Sequence, residues 1–454
     1  MTGKMCCVTS SSSPQLPDLH PQRPCVYLDQ WVWIRLARAA NGEPREASDP
    51  HVLAAVQDAA AEGVAFPLST THYIETSKIT NPRQRLDIAR TMASVSHCRT
   101  LCARRVLLRH QMLHAMHLTF GRPAFRPQAP EVLGTGFHWA LEGKPRRMVL
   151  HDTDGVVDPA TISGMPEFLG KASQLTEAMI LAGPADAEIS QLREHYGYRP
   201  EAMTEVEASR LGWEASYVNI LADHPASRAE LRVRLQAREL LHEHLDMYQA
   251  LIREYGINLS REIGYDPDRP SVSRRRMVGF SDAIPSLRIA VDLKTELFRN
   301  TTKTWTMNPI YDIDALSMAV PYCHVVVPDR EMASLLSRSG TGPRLGTRII
   351  TTLSDLPNAL PGLAEQARNA PGDRTGPAGT GRDLTTATAS TRTTSSTGSR
   401  TSHLQPNQPL RAWEVRAGQD RLSSDCRISH EPAAGTSWRV RLWKSRFTHS
   451  RGGI

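Results

Sequence analysis

At 454 residues, with 40% hydrophobic and 22% charged residues, the chain has the composition of a folded protein long enough for more than one domain. No apolar stretch approaches the roughly 20 residues of a membrane span, and the N-terminus lacks the charged-then-apolar pattern of a secretory signal. The expected location is therefore the cytoplasm, with no membrane partner. Seven cysteines, an odd number without framework spacing, argue against a disulfide-stapled secreted fold. The formal charge of +7 belongs to the tail: residues 371–454 carry 13 Lys+Arg against 6 Asp+Glu, leaving 41 of each sign in residues 1–370. Net charge alone does not mark the globular part as a nucleic-acid binder.

Residues 1–24 are polar and rich in Pro and Ser, and read as a disordered leader. Strands and helices then alternate: a strand over 25–29, helices over 32–40 and 50–62, and a strand over 64–68. A helix capped by Ser69 or Thr70 follows, and another begins at Asn81-Pro82, where Pro takes the favoured first position. This alternation predicts βαβ units and a parallel sheet flanked by helices, over 25–100. Residues 101–304 read as a mostly α-helical insertion, with one long amphipathic helix over 225–255. The α/β pattern resumes over 305–370, with a helix at 312–319, strands at 324–327 and 347–351, and a short final helix within 353–367. From 371 to 454 the chain becomes a Thr/Ser/Gly/Arg low-complexity basic tail that lacks the apolar content to fold.

Four acidic residues, Asp29, Glu75, Asp314 and Asp329, share one local setting. Asp29 closes the run 25–28, and Asp329 closes His324-Val-Val-Val-Pro328. Glu75 lies just past the run 64–68, and Asp314, with Asp312 two residues before it, opens the segment leading into the last strand of that run. Carboxylates at strand ends and helix starts converge on one edge of a parallel sheet, where open α/β folds place their sites. Crowded carboxylates repel and stay ionised only beside a cation, so the pattern predicts a divalent metal site. Mg²⁺ or Mn²⁺ suits such hard oxygen ligands. Asp312 and Asp314 compete, because residues two apart on a helix point about 200° apart; both reach one metal only if Asp312 precedes the helix.

Val26-Tyr-Leu-Asp29, Ser69…Glu75, Asp312-Ile-Asp314-Ala-Leu-Ser-Met-Ala319 and Val325-Val-Val-Pro-Asp329 follow the order and contexts of the PIN domain, which this chain resembles over roughly 25–100 and 305–370. The resemblance implies a Rossmann-like sheet and a Mg²⁺- or Mn²⁺-dependent nuclease acting on RNA, of the kind found as toxins with a small protein antitoxin or inhibitor as partner. It places Asp29, Glu75, Asp314 and Asp329 in the catalytic set. Asp29 and Asp329 would be the direct ligands, with Glu75 and Asp314 holding bound waters or orienting the nucleophile. Two positions depart from the pattern. Trp31 stands where the family often has Asn, Ser or Thr, and Pro328 stands where Thr is common. They favour the alternative, a catalytically inactive PIN-like scaffold that binds RNA or protein.

Lys78 and Arg83, just past Glu75, and Lys303 and Trp305, just before the acidic helix, are the candidate contacts to a nucleic-acid strand; Trp305 stacks on a base in that reading and packs into the core in the alternative, which a Trp more often does. His110, His114 and His117 have the spacing of one helical face, with Cys98 and Cys102 nearby, but without an intervening Glu they read as a polar helix face rather than a zinc site.

Overall fold

The computed structural model describes residues 19–145, 149–152, 155–157, 162, 164–264, 266–300 and 303–370, together with the short strands Cys426–Arg427 and Arg439–Arg441. The expectation for the leader falls outside these residues up to position 18. That for the tail falls outside them except at the two short strands, which pair with each other and, through the second, with the 149–152 strand.

The architecture is α/β and mostly helical. In chain order, β1 (Val26–Leu28), α1 (Gln30–Ala40), α2 (Asp49–Ala61), α3 (Thr70–Ser77), α4 (Pro82–Ser96) and β2 (Arg99–Leu101) form the first part. Then come α5 (Arg104–Phe120), β3 (Leu133–Thr135), α6 (Phe137–Glu142), the hairpin β4 (Val149–Asp152) and β5 (Gly155–Val157), α7 (Met165–Ala182) and α8 (Ile189–Tyr196). The helical run continues with α9 (Pro200–Asp223), α10 (Arg228–Arg238), α11 (Leu245–Glu254), α12 (Leu259–Glu262), α13 (Pro270–Asp282) and α14 (Pro285–Arg299). The chain returns to the sheet with α15 (Met307–Tyr322), β6 (Val325–Val327), α16 (Arg330–Ser339), α17 (Thr341–Arg344), β7 (Arg348–Ile349) and α18 (Leu360–Asn369). None of the described helices is long and apolar enough to cross a membrane.

β1, β6 and β7 form a parallel sheet in the order β1-β6-β7, with Tyr27 opposite Val326. The expected strand at 64–68 is reduced to two parallel bridges, Cys25 to Ala65 and Leu68 to Thr100. Its hydrogen bonds still join β1 to β2: Val26 N–H donates to Ala65 O at 2.8 Å and Leu101 N–H donates to Leu68 O at 2.8 Å. Along the sheet the order is therefore β7, β6, β1, residues 64–68, β2. The connections run one way from β1 and the other way from β6. A crevice forms where such a sheet changes direction, outside the carboxyl ends of the two strands.

Alternation along the strands splits the core in two. Val26, Leu28, Val325 and Val327 face a cluster built with α1, α2, α4 and α18. Tyr27 and Val326 face a second cluster, which includes α5, α10, α13, α14 and α15. Residues 101–304 thus pack into the cores on the sheet's two faces, most of them into the second cluster and Ala140, Leu181 and Ala182 into the first, rather than into a core of their own.

Local chemistry explains most helix boundaries. Asp29 caps α1, its Oδ1 accepting from Gln30 N–H at 2.7 Å, and Asp329 caps α16, accepting from Met332 N–H at 2.7 Å. Asn81 caps α4 ahead of Pro82. The single helix expected over 225–255 is instead capped by Ser227 and interrupted by a π turn at Glu239–Glu243. There the wider turn carries Glu239 against Lys294 of α14, at 2.5 Å. The acidic helix α15 begins five residues before Asp312, which removes the condition under which Asp312 and Asp314 reach one point.

Leu353, Leu356, Leu360 and Leu363 complete the first cluster. A chain ended after residue 370 should melt within about 2 °C of the full-length protein, and one ended before Leu353 about 10 °C lower or worse. A 1–370 protein that melts about 10 °C or more below the full-length chain, or shows no cooperative transition, would contradict this boundary.

Candidate functional site

The strand order brings Asp29 and Asp329 together at the carboxyl ends of adjacent strands. The link is direct, since Asp29 N–H donates to Val327 O at 3.2 Å. Each carboxyl spends Oδ1 on its own helix N-terminus, and α1 and α16 both start at the same edge. Two helix N-termini favour negative charge there.

Glu75 enters from α3, whose position is set by His72. The buried imidazole accepts from Ser69 N–H through Nδ1 at 2.9 Å and donates through Nε2 to Leu28 O at 2.9 Å. Burial lowers its pKa to about 4, so it stays neutral and keeps this tautomer. Gln30 adds a second tie, donating from Nε2 to Thr76 Oγ1 at 3.0 Å. Neither residue stood out in the sequence, although His three residues after a Ser cap is a readable capping pattern.

Asp312 joins from α15, and its environment identifies the cluster. Burial pushes its carboxyl up to about 9, followed by the charges of Asp29, Asp329, Glu75 and Glu331. Burial and then Asp29 push Glu75 up to about 8, with Lys78 acting the other way. Asp29 is raised to about 6 by burial, opposed by backbone hydrogen bonds from Gln30 and Asp329 and assisted by the charge of Asp329. All four side chains are only partly buried. Burial first, and then mutual repulsion, disfavour the charged forms of Asp29, Glu75 and Asp312.

Asp314 does not belong to this group, which corrects its expected place in the catalytic set. Its carboxylate is clamped by Arg104 and by Arg210, the latter at 2.7 and 3.1 Å. Burial would raise its pKa, but the two guanidiniums more than reverse this and hold it well below the usual carboxylate range. The divergence of positions 312 and 314 on one helix decides the matter: one side chain faces the acids, the other faces arginines.

The expected strand contacts fare unequally. Lys78 borders the acids, donating to Tyr311 Oη at 2.7 Å and pairing with Glu207 at 2.6 Å. Arg83 is exposed on the first turn of α4. Lys303 pairs with Glu331. Trp305 is corrected: it is 8% exposed and packs on Phe298 with ring centroids 4.6 Å apart, so its ring is not available to a base. His110 and His117 contact the carbonyls of Pro127 and Pro123, at 3.4 and 2.7 Å, and so secure a loop. The departing positions are absorbed into packing. Trp31 lies against the first core cluster with Arg35 above its ring, and Pro328 is buried.

Among the described residues, no three His, Cys, Asp or Glu side chains already stand as ligands around one point. The donor set nonetheless suits a hard divalent cation in its chemistry: Asp29, Glu75, Asp312 and Asp329 offer only oxygens, and a cation would relieve the repulsion that raises Asp29, Glu75 and Asp312.

Asn substitutions at 312 and 314 should act in opposite senses. In the folded chain Asp312 titrates near 9, against an ordinary value of 3.8, so the stability its proton supplies is complete below about pH 4 and is lost as pH rises through about 9. Asp312→Asn removes that loss. Its melting point, measured against wild type, should gain a few degrees between about pH 5 and about pH 9. Asp314→Asn strands two guanidiniums and should cost about 2–4 kcal/mol in denaturant titrations near neutral pH, with the deficit shrinking as acid protonates the wild-type carboxylate. Equal behaviour of the two variants would contradict the division of α15.

Compared with protein-family models, curated proteins and solved structures, the chain matches none.

Proposed function

We propose that the chain is a nuclease that hydrolyses RNA phosphodiester bonds with a divalent cation, Mg²⁺ or Mn²⁺, held by Asp29, Asp312 and Asp329. The observation that carries this reading is the convergence of carboxylates at the sheet's change of direction, where Asp29 and Asp329 end adjacent strands and burial with neighbouring charge raises Asp29, Glu75 and Asp312. The resemblance of its acids to the PIN-domain order supports RNA as substrate and a small protein antitoxin or inhibitor as partner. A bound cation would supply Lewis-acid stabilisation of the charge that builds on the phosphoryl oxygens.

The chain's own residues do the rest. Asp29 and Asp329 are fixed at helix caps, each with Oδ1 committed to a backbone N–H, which orients the remaining oxygen. Glu75, raised to about 8 by burial and then Asp29, is the group suited to take a proton from the attacking water once its own carboxyl has ionised, as it would beside a bound cation. His72 and Gln30 hold α3 so that Glu75 faces Asp29. Asp314 has a structural role in this scheme, pinning α5 and α9 to α15 through its two arginines.

A second reading, a scaffold that binds without cleaving, is favoured by Trp31 and Pro328 in place of polar helpers and by the absence of a ready-made three-ligand arrangement among the described residues. Two measurements separate the readings. Mg²⁺- or Mn²⁺-dependent cleavage of a mixed RNA pool should fall about 100-fold or more in Asp29→Asn, Asp312→Asn and Asp329→Asn; no metal-stimulated cleavage by wild type would remove the enzyme reading. Calorimetric titration with Mg²⁺ near neutral pH, in buffers of different ionisation enthalpy, should register release of about one to two protons, because ligation requires the raised carboxyls to ionise. Heats independent of buffer would contradict cation binding at these groups.

A further inference from the structure

The clamp that Glu207 closes on Lys78 and Tyr311 lies beside the acids and has no evident part in holding the sheet together. Lys78 Nζ pairs with Glu207 Oε1 at 2.6 Å and donates to Tyr311 Oη at 2.7 Å, while the Tyr311 hydroxyl donates to the same Glu207 oxygen. The ammonium also lies over the Tyr311 ring, 4.6 Å from its centroid. One anionic oxygen is thus held by an ammonium and a phenol. Tyr311 directly precedes Asp312, and Lys78 follows Glu75 by three residues, so this pair of donors is part of the rim of the carboxylate group.

Resting on the nuclease reading, we propose that Lys78 and Tyr311 form the subsite for a phosphodiester flanking the cleaved bond, and that Glu207 occupies it in the free protein as an autoinhibitory stand-in for phosphate. A phosphate oxygen is an acceptor of the same charge sign as the Glu207 carboxylate, and an ammonium and a hydroxyl both suit it. Lys78 is 40% exposed at its side chain, so an incoming strand reaches it from solvent. Exchange needs no helix movement. On the same stripe of α9, Arg210 binds Asp314, and Glu214 binds Lys294 and Arg238 at 2.6 Å each. Those contacts keep α9 anchored while the Glu207 side chain turns away.

The test is fluorescence anisotropy with a labelled short single-stranded oligoribonucleotide, with Ca²⁺ replacing Mg²⁺ to separate binding from cleavage. Glu207→Ala and the shape-conserving Glu207→Gln should bind about fivefold more tightly than wild type. Lys78→Ala and Tyr311→Phe should bind more weakly, and Glu207→Ala in a Lys78→Ala background should give no gain, since the two act through one contact. Thermal melts that overlay show that each variant is folded. Wild-type binding with no gain in either Glu207 variant, or a gain that survives Lys78→Ala, overturns the inference and leaves the nuclease reading standing. No RNA binding by any of the proteins overturns both.

Discussion

The pairing of β1 with β6 is the constraint on which the site depends. The two strands are about three hundred positions apart in the chain, yet they are neighbours in register, with Val26 opposite Val325 and Leu28 opposite Val327. Each ends in an aspartate that caps the following helix. Closing this one ladder therefore places two carboxylates and two helix N-termini at a single edge. The helices that contribute Glu75 and Asp312 lie against each other beside this pair of strands, and both project acids toward that edge. A one-residue slip in the ladder would exchange the side chains of the two core faces, so burial on both sides enforces the register that builds the site.

The second structural device is ionic. α15 lies between unlike charge environments, with carboxylates on the Asp312 side and guanidiniums on the Asp314 side. Deeper in the helical region Lys294 bridges Glu214 and Glu239, while Arg238 pairs with Glu214 and lies 4.8 Å above the Trp213 ring. Buried charges of this kind add little net stability over an apolar packing, but removing one partner leaves the other uncompensated. Their arrangement fixes α9 and the π turn in one position against α14 and α15. The long helix α9 is held both by these contacts and by Leu211, Tyr217, Val218 and Leu221 against the second cluster, and so stands next to the acids in a defined pose.

Much of this was legible in the sequence, and the exceptions have physical causes. The runs at 25–29 and 324–327, bounded by acids and by helix starts, appear as the central strand pair. Ser69 and Asn81-Pro82 mark real helix starts, because capping is local chemistry and depends on few residues. The run 64–68 fails as a regular strand although it still bridges β1 and β2; Pro67, which lacks an N–H, interrupts the ladder. Asp314 resembled its neighbour Asp312 because a sequence shows spacing but not the partner each face meets, and only Arg104 and Arg210, from distant helices, distinguish them. Trp305 looked available for stacking because its polar neighbours masked a core position beside Phe298. The break at Glu239 shows as a shifted stripe: the buried leucines step four residues from Leu231 to Leu235 but five from Leu235 to Leu240, leaving Leu241 exposed, which is the extra residue of a π turn and is set by a tertiary ion pair.

Whether the acids share a cation decides the function of this edge of the sheet. Crystals of the full chain soaked in Mn²⁺ would decide this through anomalous scattering. The expected result is a peak among the carboxylates of Asp29, Asp312 and Asp329, with the Asp314 carboxylate still on its two arginines. Saturating Mn²⁺ that leaves no peak there, or that binds only at other positions, would contradict it.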